Sequence, residues 1–206
     1  TVTIGTQVWT VENLRTTKYN DGIAMPYVTD GTEWSSLNTP GYCFYNNSTD
    51  AAYREKWGAL YNRHAVATGK LAPAGWRVPT DADWTQLEEY LVANGYNWDG
   101  STGGNKIGKS LAAKTDWESS SEAGDVGNSL SSNNGTGFSA LPGGYRNDQG
   151  GFLAQSVTGG WWSATETDPH ATSGYNRCLF YDNEFLYSSK YDTKYGFSVR
   201  LVRDLE

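Results

Sequence analysis

Apolar positions in this chain fall in short runs separated by turn clusters, and only one stretch carries a sustained helical stripe. Residues 3–9 and 11–14 predict an N-terminal hairpin or bent strand. The range 19–26 passes through Asn20-Asp21-Gly22, a strong turn signal. A short aromatic strand is expected over 42–45, between Pro40-Gly41 and Asn46-Asn47. Within 57–66, Trp57, Leu60, Tyr61 and Ala65 fit a helical stripe. The clearest element is a helix over Asp81–Ala93. Thr80 stands at its N-cap, Asp83 at N3 makes an acidic variant of the capping box, and Trp84, Leu87 and Leu91 share one apolar face. Gly95 is placed to end it.

The range 97–110 is rich in Gly and Asn and leads into a short helical or turn piece at 107–113. From 116 to 136 the chain is Ser, Gly and Asn with few apolar residues, which predicts a long loop. The final third alternates turn clusters with short aromatic strands at 151–154, 161–164, 177–181, 184–187 and 197–202, a spacing that fits a twisted antiparallel sheet. The expected fold class is α+β. It is a single domain over residues 1–206, with one or two helices and long structured loops beside the sheet.

Composition sharpens this picture. Aromatic residues make up 14 % of the 206 residues and Gly accounts for 24 of them. With aliphatic residues scarce, Trp and Tyr must supply much of the buried area. The formal charge is −7 and no basic run exists, which disfavours a nucleic-acid partner. No apolar stretch approaches a membrane span, no secretory signal is visible, and the start inside an expected strand reads as a mature or trimmed chain. Cys43 and Cys178 are too few for a disulfide scaffold or a cysteine-based zinc site, and read as buried thiols. The sequons at Asn46, Asn47 and Asn134 read as chance matches in an Asn-rich chain.

Candidate chemistry is sparse. Asp81 and Asp83 favour the first-turn dipole of the helix, and Glu88 and Glu89 read as solvating its outer face. Glu166 and Asp168 follow Trp161-Trp162 and are the pair a glycosidase would use as acid and base. His64 and His170 lack the spaced partners of a triad or a zinc motif. Asn97-x-Asp99-x-Ser101 and Asp182-Asn183-Glu184 offer oxygens for calcium without the closing Glu of an EF-hand, so no cofactor is expected beyond a possible calcium. The aromatic residues divide. Trp76, Trp84 and one of Trp161 and Trp162 are expected in the core, because strand neighbours point to opposite faces. The other of that pair is expected at the edge of a recognition surface formed by Tyr175, Asn176, Tyr181, Asp182, Asn183, Tyr187, Tyr191, Asp192 and Tyr195. Phe197, Val199 and Leu201 are expected to alternate inward on a framework strand behind it.

Four phrases occur in order: Ala72-Pro-Ala-Gly-Trp-Arg-Val-Pro-Thr-Asp-Ala-Asp-Trp84, Gly137-Phe-Ser-Ala-Leu-Pro-Gly-Gly-Tyr-Arg146, Trp161-Trp-Ser-Ala-Thr-Glu166 and Gly196-Phe-Ser-Val-Arg-Leu-Val-Arg-Asp204. With Gln7-Val-Trp-Thr-Val-Glu-Asn-Leu14 they make the chain resemble the Fibrobacter succinogenes major paralogous domain, bacterial surface modules related to C-type-lectin-like folds. The resemblance implies an extended segment somewhere in 57–66. It also implies display at the cell surface or outside the cell, with a possible lipid anchor on a segment absent from this chain. The calcium-bridged sugar tripeptides of C-type lectins do not occur here, nor do the paired late cysteines of the formylglycine-generating enzyme. A similarity to the variable receptors of diversity-generating retroelements rests on Tyr175-Asn-Arg, Tyr181-Asp-Asn, Tyr187-Ser-Ser and Tyr191-Asp-Thr. The expected function is non-catalytic recognition of a glycan or protein, as in an adhesin or receptor. A retroelement variable receptor and a divergent glycoside hydrolase are the alternatives.

Overall fold

A computed structural model of the chain describes residues 1–165 and 172–205. In chain order its elements are β1 (Val2–Ile4), β2 (Gln7–Trp9), α1 (Gly31–Ser36), β3 (Tyr42–Cys43), α2 (Ala51–Trp57), β4 (Leu60–Tyr61), α3 (Arg63–Ala67), α4 (Asp81–Ala93) and α5 (Gly108–Leu111), followed by β5 (Gly143–Arg146), β6 (Phe152–Gln155), β7 (Thr158–Trp162), β8 (Ser173–Phe180), β9 (Tyr187–Asp192) and β10 (Val202–Asp204). The architecture is mixed, with more strands than helices. Every strand ladder is antiparallel. The one expected sheet is instead divided into small ones, ordered β1-β2-β10, β3-β4, β5-β6 and β7-β8-β9.

Helix α4 has the expected bounds and cap. Thr80 Oγ1 accepts from Asp83 N at 3.2 Å, and Asp83 Oδ2 accepts from Thr80 N at 2.8 Å, so two orphan donors of the first turn are satisfied reciprocally. Two shorter helices were not foreseen. Asp30 caps α1 and Asp50 caps α2, each accepting from the backbone N–H three residues on. The ambiguous range 57–66 resolves into the end of α2, the extended β4 and the start of α3, so the helical and extended readings each hold for part of it.

Buried apolar residues gather in clusters built chiefly from aromatic rings. One joins Trp9, Trp84, Phe138, Trp161 and Leu179, with the Trp9 and Trp84 rings 4.7 Å apart. A second joins Tyr61, Trp162, Phe197, Val199 and Leu201, with Trp162 edge-on to Phe197 at 5.1 Å. A smaller one holds Val28, Trp34, Cys43, Tyr45 and Leu60.

Strand β7 lies between the first two clusters, and this overturns one expectation. Trp161 is 1 % exposed and Trp162 0 %, so neither is available at a surface. They do point to opposite faces, but each face has its own core. The glycines before them are part of the same packing. A Cβ on Gly159 would come within 2.6 Å of the Trp161 ring, and one on Gly160 within 2.7 Å of the Phe197 ring.

The framework strand also differs from expectation. Phe197, Val199 and Leu201 do turn inward, but Ser198 and Arg200 between them are buried as well. Only Val202 onward joins a regular ladder. Before it the segment is held by single bridges, Gly196 to Arg146, Phe197 to Tyr61 and Ser198 to Trp161. It threads between cores and so has no solvent face. The strand expected over 184–187 begins only at Tyr187, because residues before it form the β8–β9 turn.

Candidate functional site

The C-terminal residues singled out from the sequence are carried by the hairpin β8–β9, whose register fixes their faces. Asn176 pairs with Trp162 on one side and Ser189 on the other, while Arg177 pairs with Trp161 and Ser188. Side chains alternate faces along each strand. Trp162, Asn176, Tyr187 and Tyr191 therefore share one face, and Trp161 and Tyr175 the other. One continuous recognition surface through all of them does not form.

Three groups result. Trp161, Trp162 and Asn176 are interior. The indoles donate to Asn13 Oδ1 at 2.9 Å and to Tyr61 O at 2.7 Å, and Asn176 is 0 % exposed. Asn176 was expected outside, but β8 is the central strand of its sheet and this stretch is covered by the second cluster. At one end of β9, Tyr191 and Tyr195 are half-buried and pack on Phe197 and Tyr145. Burial pushes the Tyr191 phenol up to about 12. Asp192 stays near them, and its carboxylate accepts from Lys194 N at 2.9 Å. Tyr175 stands apart on the opposite face, under the Lys190 ammonium at 4.5 Å.

The third group lies at the hairpin turn and is the best-formed candidate site. Tyr187 packs edge-on against Phe180 and Phe185 at 5.4 and 5.8 Å. Asp182 is exposed, Asn183 is half-buried, and Tyr181 rests on the first core. Sequence reasoning missed two large exposed rings here, Phe185 at 36 % and Trp98 at 41 %. The Trp98 indole donates to the Glu184 carboxylate and covers Gly124. Loops pin the turn from beneath. Val126 N donates to Asn183 O, Gly127 N to Tyr181 O and Gly108 N to Glu184 O, and the Asn105 side chain bonds both backbone groups of Leu186. A hydrogen-bonded backbone thus presents ring faces beside carboxylate and amide groups.

The two calcium-suggestive segments meet at this turn, where Asn97, Asp99, Asn183 and Glu184 already have protein partners. Lys106 reaches Asp99 at 2.6 Å and holds its carboxyl well below the usual range. Asn97 bonds the loop backbone, and Glu184 takes the indole. Among the described residues no three His, Cys, Asp or Glu side chains gather as a metal set.

A family profile described as the Fibrobacter succinogenes major domain matches residues 2–203. The chain belongs to that family. No curated protein matches it, and no solved structure matches it. Among the described residues, no helix of this Fibrobacter succinogenes major domain is long and apolar enough to cross a membrane.

The phrases that carry the family likeness turn out to be structural. Arg146 is 1 % exposed, gripped between the Trp34 and Phe152 rings at 4.6 and 4.7 Å. It donates to the carbonyls of Val28, Thr29 and Gly150. Arg200 is fully buried over Phe138 at 4.3 Å and donates to Asn13 Oδ1 and the carbonyls of Thr10, Phe138 and Ser139. Its desolvation pulls the guanidinium down to about 9. These arginines close loops whose carbonyls no sheet would satisfy.

Arg177 bonds Asp81 at 2.6 Å and Glu88 at 3.3 Å, so Glu88 does not merely solvate the helix. Burial pushes its carboxyl up, against the pull of Arg177. Cys43 and Cys178 are free and buried, and desolvation pushes both thiols up to about 12, far from nucleophilic thiolates. His64 is half-buried with its value lowered, first by burial and then by Arg63. Glu166, Asp168 and His170 lie outside the described residues. A groove of about 480 Å³ beside Thr10, Glu12, Arg15 and Leu201 holds an ion pair, Glu12 with Arg15 at 2.8 Å.

Proposed function

We propose that this chain is a non-catalytic ligand-binding module of C-type-lectin-like form, displayed at a bacterial cell surface, that recognises a glycan or protein through the β8–β9 hairpin. The observation that carries this reading is the pinned turn with exposed Trp98 and Phe185 beside Tyr187, Asp182 and Asn183. Rigid aromatic faces with hydrogen-bonding neighbours give contact area at low entropic cost. The pairing of β2 with β10, which joins the two ends of the chain in one sheet, supports the lectin-like form, as does the long loop region between.

Binding to arrayed glycans and to displayed peptides, with Trp98→Ala, Phe185→Ala and Tyr187→Ala variants, tests the reading. Each substitution is expected to cost about 1 kcal/mol or more in binding with folding intact. Turnover of a glycoside panel, abolished by Glu166→Gln, would replace it with the hydrolase reading. The variable-receptor reading is favoured by the position of Tyr187, Ser188, Ser189 and Tyr191 on the outermost strand of the sheet. An adjacent reverse transcriptase gene and template repeat would establish it.

A further inference from the structure

Small sheets leave many strand edges, and proteins blunt such edges by shortness, kinks or cover. Here β1 has three residues, β6 is kinked by Ala154 at a φ of 61°, and β10 is bridged by Arg77. The outer edges of β5 and β7 are bridged by Gly196 and Ser198. Strand β9 is different. It is six residues long, has no proline and no positive φ, and forms one border of its sheet.

The hydrogen-bond phase shows what that border offers. Ser163 N donates to Tyr175 O and Tyr181 N to Val157 O, so odd-numbered residues of β8 spend their backbone groups on β7. Even-numbered ones, Gly174, Asn176 and Cys178, therefore bond Tyr191, Ser189 and Tyr187 of β9. Thr193 N donating to Thr172 O continues the same phase. Ser188 and Lys190 are left with N–H and C=O directed outward, and both residues are exposed. Tyr187 and Tyr191 flank this edge on one face. Lys190 stands on the other.

We propose that β9 is a docking edge for an extended segment of another protein, which adds as a further strand. Its backbone pairs with Ser188 and Lys190, apolar side chains at alternate positions meet Tyr187 and Tyr191, and an acidic side chain lies beside Lys190. This rests on the ligand-binding reading above and narrows its ligand to a polypeptide. A second copy of this chain fits less well. Antiparallel self-pairing that satisfies both residues places the two Lys190 side chains as diagonal neighbours of like charge.

The test uses random twelve-residue peptides displayed on phage, selected on the immobilised chain and resynthesised, alongside a glycan array. Selected peptides are expected to alternate apolar residues and to carry an acid. Ser188→Pro should weaken them about tenfold or more, as expected for one lost hydrogen bond in a dry ladder, while the thermal midpoint holds, because β8 does not use that N–H. N-methylation of the pairing peptide amides should cost as much, and does not depend on how the variant folds. Lys190→Glu should turn the preference from acidic to basic peptides. Peptides indifferent to Ser188→Pro and to N-methylation would overturn the edge. Glycan binding lost in Tyr187→Ala but kept in Ser188→Pro would also overturn it while sparing the broader reading. Binding of neither class at this hairpin would overturn both.

Discussion

Strands β7 and β9 flank the same central strand, yet they are built for opposite purposes. All five residues of β7 are buried. Its faces meet separate cores, and its outer edge is covered by Ser198. No residue of β9 is fully buried, and among the described residues no strand pairs with its outer edge. Both strands are rich in aromatic residues, so residue type does not separate framework from surface. What separates them is cover. A strand with a core on each face uses Gly for close approach and Trp for volume, whereas a border strand uses Tyr and Ser, which tolerate water on one side.

The largest effects should come from the covered side. Trp162→Ala removes a ring packed on Phe197 and an indole bond to Tyr61 O, and should cost about 3–5 kcal/mol in chemical denaturation. An unchanged midpoint would mean that β7 is not held between two cores. Arg200→Met should cost about 3 kcal/mol, since several carbonyls lose their only donor, offset in part by relief of a desolvated charge. A neutral result would show that water replaces the guanidinium.

Helix α4 gives a pH signature of the framework. Burial alone would raise the Asp83 carboxyl, but bonds from Arg77 and Thr80 outweigh it and hold the value below 3.8. A depressed carboxylate contributes stability that is present above its unfolded value and lost as pH falls through its folded one. The thermal midpoint should therefore fall more steeply below pH 3.8 than that of Asp83→Asn. Matching acid slopes would remove Asp83 from the account.

On the open side, effects on stability should shrink outward along β9. Tyr191→Ala, which loses contacts with Phe197 and Tyr195, should cost about 1–2 kcal/mol, and Tyr187→Ala less than about 1. Equal costs would mean that β9 is covered along its whole length.

Helix α4 was legible because its signals are local: a capping pair three residues apart and apolar positions at helical spacing. The Asp30 and Asp50 caps were equally local, but the helices behind them are too short to carry a stripe. The burial of both Trp161 and Trp162 was not legible. Alternation says only that they point to opposite faces, and the second core comes from Tyr61 and Phe197, remote in sequence. Of the candidate site, Asp182, Asn183 and Tyr187 were found as turn-rich aromatic sequence. Trp98 and Phe185 were missed, although a large ring in a Gly- and Asn-rich stretch without apolar neighbours is a signal for exposure. Strand β9 itself was misplaced because Ser188, Ser189 and Lys190 lack the apolar alternation that marks a strand.

Residue-resolved amide hydrogen exchange on the intact chain tests the contrast most directly. The amides of Trp162 and Phe197, bonded to Ser198 O and Tyr61 O, should exchange only through global unfolding. Along β9, Tyr187, Ser189 and Tyr191 should be protected while Ser188 and Lys190 exchange close to the rates of an unstructured peptide. Uniform protection across Tyr187–Asp192 would contradict the account, because it would show the outer edge of β9 already paired.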